Sequence, residues 1–243
     1  MGFRDLFKKS EPKKGPKVIV VEVKKPKNFK YLDNLINSGE KEINLDADII
    51  LDDNEKYGYI NGIKVETIGL IVNGNGHTID AQGKTRIFDI GFSSITFKNI
   101  TFKNGFTEGN GGAIKCMFST VKFEGCIFEN NVNKQQCGTG GAIYHSSHSI
   151  TITRSVFKNN KIIGDHSNGG AIYSAGDLTI TNTKFLENSL EGNICNGSSI
   201  ASIGNLIVMG CEFTEHNPTL GCNLIDSRAE NSIIENCESN RPL

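Results

Sequence analysis

Between residues 111 and 188 one pattern is written three times: GGAIKCMFSTVKFEGCIFENN from Gly111, GGAIYHSSHSITITRSVFKNN from Gly140 and GGAIYSAGDLTITNTKFLEN from Gly169. The Gly-Gly pairs recur after 29 residues and again after 29. A fixed period of about 20–50 residues means that each copy is one supersecondary unit, able to bury its apolar face only by stacking on its neighbours. Weaker copies extend the register. Downstream, Gly197 to Ile200 and Phe213 keep the pattern, and a last degraded turn runs from Gly221 to about Cys237. Upstream, Ile95 to Phe97 and Phe102 to Asn104 match Ile150 to Ile152 and Phe157 to Asn159. This predicts six or seven coils.

Alternation within short runs assigns inward and outward positions. Three runs recur in each coil. The first points Ile114, Ile143, Ile172 and Ile200 inward. The second carries Val121 with Phe123, Ile150 with Ile152, Leu178 with Ile180 and Leu206 with Val208. The third ends in Phe128, Phe157, Phe185 and Phe213. Like residues stacked on like are what in-register parallel strands produce, so an all-β chain of three short parallel sheets is expected. Asn131, Asn160 and Asn188, three residues past each Phe, fall at a corner where their amides satisfy turn backbone and one another. The Gly-Gly pairs read as sharp corners, where positive φ and close backbone approach favour glycine.

These residues resemble a known family. GGAI at 111, 140 and 169, paired with Phe128 to Asn131, Phe157 to Asn160 and Phe185 to Asn188, is similar to the polymorphic outer-membrane protein repeat. The helix-then-strand opening and GNGHTIDAQG resemble the adhesin-like proteins of methanogenic archaea. Together the resemblance spans about residues 28–240 and implies a single-stranded right-handed parallel β-helix, with surface adhesion or display as its function. It also implies a cell-surface location.

Residues 1–30 hold ten Lys or Arg against three acids, while the whole chain sums to −1. A basic arm on an acidic body follows, and a near-neutral total gives no global nucleic-acid footprint. Residues 1–27 are expected to form that arm, with one short strand at Val18 to Val23, and residues 28–243 the β-helix domain. Phe29, Leu32, Leu35 and Ile36 follow helical spacing after a capping Asn28 and before Gly39, predicting a cap helix over 28–38. Such a lid covers the apolar interior and strand edge of the first coil. In the arm, residues 3–9 set Phe3, Leu6 and Phe7 beside Arg4, Lys8 and Lys9, a face suited to an anionic membrane surface. No secretory signal or transmembrane segment is written, which on its own reads as cytoplasmic. The seven Cys then read as reduced thiols, although Cys211 and Cys237 fall at equivalent places in successive coils, within bridging distance. A C-terminal coil without a lid suggests end-to-end self-association.

Catalysis on such a scaffold needs paired carboxylates in a groove, and Asp80, Asp89, Asp165 and Asp177 are scattered among coils. No catalytic residue or cofactor is expected. His145 shares a column with Cys116, Ser174 and Ser202, and reads as a corner position. Between corner Asn and next Gly, three coils carry eight residues each, Val132 to Thr139, Lys161 to Asn168 and Ser189 to Asn196, which should stack as a loop ridge. Cys137, His166 and Cys195 come near one another there, a zinc candidate that lacks a fourth ligand, so no metal site is expected. Lys115, Tyr144 and Tyr173 form an outward column suited to sugar stacking. The expected function is a non-enzymatic scaffold contacting a glycan or protein through the ridge or a sheet face. The alternative is a polysaccharide lyase or glycoside hydrolase of the pectate-lyase-like type.

Overall fold

A computed structural model describes residues 24–215, 222–229 and 231–243. The run Val18 to Val23 and the apolar face of residues 3–9 lie outside the described residues. The chain is a right-handed parallel β-solenoid of about seven turns with one short helix near its N-terminus.

Helix α1 (Phe29–Ile36) is shorter than the expected 28–38. Asn28 caps it, its side chain accepting from Tyr31 N at 3.0 Å, and the Glu55 carboxylate accepts from Phe29 N and Lys30 N. Four backbone donors at a helix start have no intrahelical partner, so these acceptors fix where the helix begins. It ends at Asn37, before Gly39, because the Asn37 amide folds back onto Asp33. Phe29, Leu32 and Ile36 are buried against the first strands, closing the apolar bore at that end.

The three runs of each coil build three sheets. The first has seven strands, from Ile63–Val65 to Ile225–Ser227; the second and third have eight each, ending at Ser232–Glu235 and Glu238–Ser239. Every described pair is parallel, and Ile114 faces Ile143, Ile143 faces Ile172 and Ile172 faces Ile200. The rings of Phe102, Phe128, Phe157, Phe185 and Phe213 stack with centroids 4.6–5.0 Å apart. Each is essentially fully buried, worth about 1.5–3 kcal/mol per ring in burial alone.

Corner residues complete the coil. Asn131 Nδ2 donates to Asn160 Oδ1 at 2.8 Å, and Asn160 Nδ2 to Asn188 Oδ1 at 2.9 Å. Each amide also donates to a backbone carbonyl, of Phe102, Phe128 or Phe157. Gly111, Gly140, Gly169 and Gly197 take φ of 63–72°, where residues with a Cβ are strained. Their partners Gly112, Gly141 and Gly170 are needed for a different reason: a Cβ there would come within 1.9–2.1 Å of a carbonyl oxygen in the next coil.

The eight-residue stretches are more regular than loops. They open as strands Val132–Asn133, Lys161–Ile163 and Ser189–Glu191, which join Phe106–Thr107 in a fourth parallel sheet. Ser167–Asn168 and Cys195–Asn196 pair as well. The ridge therefore stacks, held by backbone pairing and by buried Ile162 and Leu190.

Candidate functional site

Strand alternation turns residues 64, 89, 115, 144, 173, 201 and 226 outward on the first sheet. Register makes them one column: Lys64, Asp89, Lys115, Tyr144, Tyr173, Ala201, Asp226. The Tyr144 and Tyr173 rings are nearly parallel, 4° apart with centroids at 5.6 Å. Burial, then the neighbouring Tyr144 phenol, raises the Tyr173 pKa, which keeps the Tyr173 hydroxyl a donor. Lys115 Nζ lies 4.0 Å from Asp89 Oδ1.

At the Lys115 end this column runs into a cleft of about 780 Å³. Lys115 and Asp89 form one wall; Thr107, Glu108, Asn110 and Gln135 line it from the fourth-sheet side. Its size falls within the range of small-ligand sites. Arg86 also lines the cleft, only 4% exposed. Its guanidinium donates to Gly111 O, Asn61 O, Asn110 O and Thr107 Oγ1 at 2.7–3.2 Å. Desolvation lowers the Arg86 pKa, opposed by Asp89; with a reference value above 12 the group remains a cation. Arg86 thus pins the loop Thr107 to Gly111 and shapes the cleft.

Sequence reasoning missed Arg86 and Glu108. The available signal was a break in the repeat: Phe88 pairs with Ile114, so Arg86 stands in the column of Gly112, Gly141 and Gly170. A second missed feature is the corner bearing Phe92 and Phe118, exposed by 72% and 43%, with rings stacked at 5.1 Å. Both have φ near +50°, unusual for bulky residues, and the same corner carries Ser147 and His148 in the following coil.

The candidate zinc ligands Cys137, His166 and Cys195 are not brought together. Cys195 pairs with Ser167, not with His166, and adjacent strand residues point to opposite faces. Cys195 packs inward on Ile162, Leu190 and Cys222, whereas His166 and Cys137 are exposed. Among the described residues no three His, Cys, Asp or Glu side chains form a metal cluster. His145 lies mid-strand rather than at a corner, with no exposed surface, its Nδ1 2.8 Å from Ser174 Oγ. It does share the column of Cys116, Ser174 and Ser202.

Of the four carboxylates read from the sequence, Asp80 shares a hollow with Asp48 and Glu129, and Asp89 shares the cleft with Glu108. Asp80 accepts from Gln82 N and Asn104 Nδ2, and Asp165 from Asn193 N and Gln136 Nε2. Asp177 accepts from Asn205 Nδ2. The hollow beside Asp80, on the third sheet and smaller than the cleft at about 470 Å³, is floored by an alternating ladder in which Glu129 pairs with both Lys103 and Lys158 at 3.6 Å. Such exposed pairs hold coils in register and contribute about 0–1 kcal/mol each. No helix in the described residues is long and apolar enough to cross a membrane.

Comparison with known proteins adds little to the geometry. A stretch of 69 residues, 28% of this chain, is 36% identical to part of metabotropic glutamate receptor-like protein R of Dictyostelium discoideum. That match spans 4% of the relative's length. Neither a family model nor a solved structure matches the chain, so the resemblance to the polymorphic outer-membrane repeat rests on its motifs alone.

Proposed function

We propose that this β-helix is a non-enzymatic binding scaffold that holds a glycan in the cleft beside Lys115 and along the Tyr144–Tyr173 stack. The observation that carries the reading is the continuity of the two: a ligand-sized cleft opens onto a partly exposed pair of parallel tyrosines in the same column. Aromatic faces with polar tips suit sugar rings, which present apolar C–H faces and hydroxyl rims. Rigid parallel strands fix the spacing, so little ordering cost is left to binding. The test is retention on a glycan array by the protein and by the Tyr144→Ala/Tyr173→Ala variant. Loss of retention in the variant supports the reading, and equal retention removes it.

One observation favours the enzymatic alternative: Asp89 and Glu108 line the same cleft. A glycosidase pair needs one carboxyl kept protonated by an apolar setting. Asp89 sits beside Lys115 and Glu108 is exposed, so binding is the better supported of the two. Reducing-sugar release by the wild type that disappears in Glu108→Gln would reverse that order. Self-association belongs to the same reading. Ile234 pairs with buried Val208 yet stays 37% exposed on the last coil, an apolar position that a second copy would cover. Light scattering that stays monomeric at every concentration counts against it.

A further inference from the structure

The stretch from Val132 to Thr139 contains three buried side-chain oxygens without a hydrogen-bond partner: Asn133 Oδ1, Gln135 Oε1 and Thr139 Oγ1. Among the described residues the only other such atom is His145 Nε2. Buried polar atoms are nearly always paired in native proteins, and a concentration of exceptions calls for a missing partner. Asn133 is fully buried, and its Nδ2 donates to Thr139 O at 3.1 Å, which fixes the amide and leaves its oxygen facing away from that bond.

Their position is informative. Gln135 lines the cleft, and Asn133 is stacked directly on Thr107, which lines it too. In the next two coils the column continues with Ile162 and Leu190. The core of the fourth sheet is thus polar only beside the cleft and apolar away from it. A purely structural role would have been served by the same aliphatic residue in all three coils.

The cleft's cations have acids or acceptors beside them. Arg86 is committed to three carbonyls and a hydroxyl, Lys84 is paired with Asp53 at 2.6 Å, and Lys115 lies 4.0 Å from Asp89. A carboxylated or sulfated sugar would bring acceptor oxygens to the unpaired amide oxygens of Asn133 and Gln135 and meet lysines partly neutralised by Asp53 and Asp89. A neutral, hydroxyl-rich ring brings the donors that are lacking.

We propose that the cleft selects neutral saccharides over acidic ones, through hydroxyl donors directed at Gln135 and, directly or through an ordered water, at Asn133 and Thr139. This rests on the reading of the cleft as a glycan site and adds the class of glycan. Selectivity arises because a site of unpaired acceptors penalises any ligand that cannot donate to them.

The experiment is calorimetric titration of the full chain with cellohexaose, maltohexaose and mannohexaose as neutral probes and hexagalacturonate as the acidic one, at low and high salt. The variant is Asn133→Leu/Gln135→Leu, which copies the aliphatic column of the neighbouring coils; its thermal midpoint shows that it folds. The expected result is salt-independent binding of at least one neutral probe, weakened about tenfold or more in the variant, as loss of one or two hydrogen bonds implies. Neutral binding unchanged in a folded variant, or salt-sensitive preference for hexagalacturonate, overturns the selectivity and leaves the glycan reading standing. Binding of none of the probes, together with an empty glycan array, overturns both.

Discussion

Asn160 is the most informative single position in the frame, since its amide lies in the middle of the corner ladder. Its Oδ1 accepts from Asn131 Nδ2 and Asn131 N, and its Nδ2 donates to Asn188 Oδ1 and Phe128 O, all at 2.8–3.1 Å. In Asn160→Leu, which keeps the volume, Asn131 Nδ2 retains Phe102 O and Asn188 Oδ1 retains Asn160 N. The Asn131 N–H, at a buried residue, loses its partner, while the Phe128 carbonyl stays in the parallel ladder between Ile127–Glu129 and Val156–Lys158. At about 1–3 kcal/mol for a buried group left unsatisfied, the substitution should cost about 2 kcal/mol. That is a large share of the roughly 5–15 kcal/mol by which domains are stable. Urea unfolding followed by circular dichroism reads this as a lower midpoint at unchanged slope. The same experiment on Asn205→Leu, an exposed loop residue outside the ladder and without positive φ, controls for general intolerance of the exchange. A cost below about 1 kcal/mol for Asn160→Leu would mean that water replaces the ladder, and the structural role argued for these amides would be wrong.

Three further outcomes follow from the geometry. Gly141→Ala places a Cβ 1.9 Å from Gly170 O and should unfold or severely destabilise the chain, whereas Gly91→Ala meets nothing within 4 Å and has ordinary φ; thermal midpoints compare them. Burial, opposed by the Ser147 backbone contact and aided by His148, pushes the His145 pKa below its usual value. With the folded pKa below the unfolded one, stability is full above about pH 6.5 and falls as pH drops toward the folded pKa, by at most about 1.4 kcal/mol per unit. His145→Leu should flatten that slope in urea midpoints taken from neutral to mildly acid pH. Finally, Glu212 pairs with Glu238, which sets the free thiols of Cys211 and Cys237 side by side, within hydrogen-bonding reach. Oxidised glutathione, accepting their two electrons, should join them and add about 3 kcal/mol by closing a loop; peptide mass mapping and the thermal midpoint check this.

The frame was legible because each of its columns repeats. Ile114, Phe128 and Asn131 each recur at the same place in the next coil, and a periodic pattern read once is read several times over. The fourth sheet was hidden because its strands, such as Val132–Asn133, are two or three residues long, too short for alternation to register. Its pairing comes from the coils around it and not from its own sequence. The cleft was hidden for the opposite reason. It is made where the repeat fails, at Arg86 in place of a glycine and Glu108 in a loop shorter than its counterparts, and repeat alignment passes over single departures. Register separates the candidate zinc ligands: Cys195 falls one place from His166's column, and one place on a strand is the other face.

The corner ladder also bears on how such a chain changes over generations. Asn131 reaches Asn160 across 29 residues and Asn160 reaches Asn188 across 28, with the same atoms in the same roles. Each coil thus presents on its upper surface what it receives on its lower one. In-frame duplication of one such unit in the gene would meet ready-made sockets on both sides, and deletion would rejoin compatible faces. Length can then drift in whole turns while the cleft beside Arg86, built from departures unique to its own coils, is carried along unaltered.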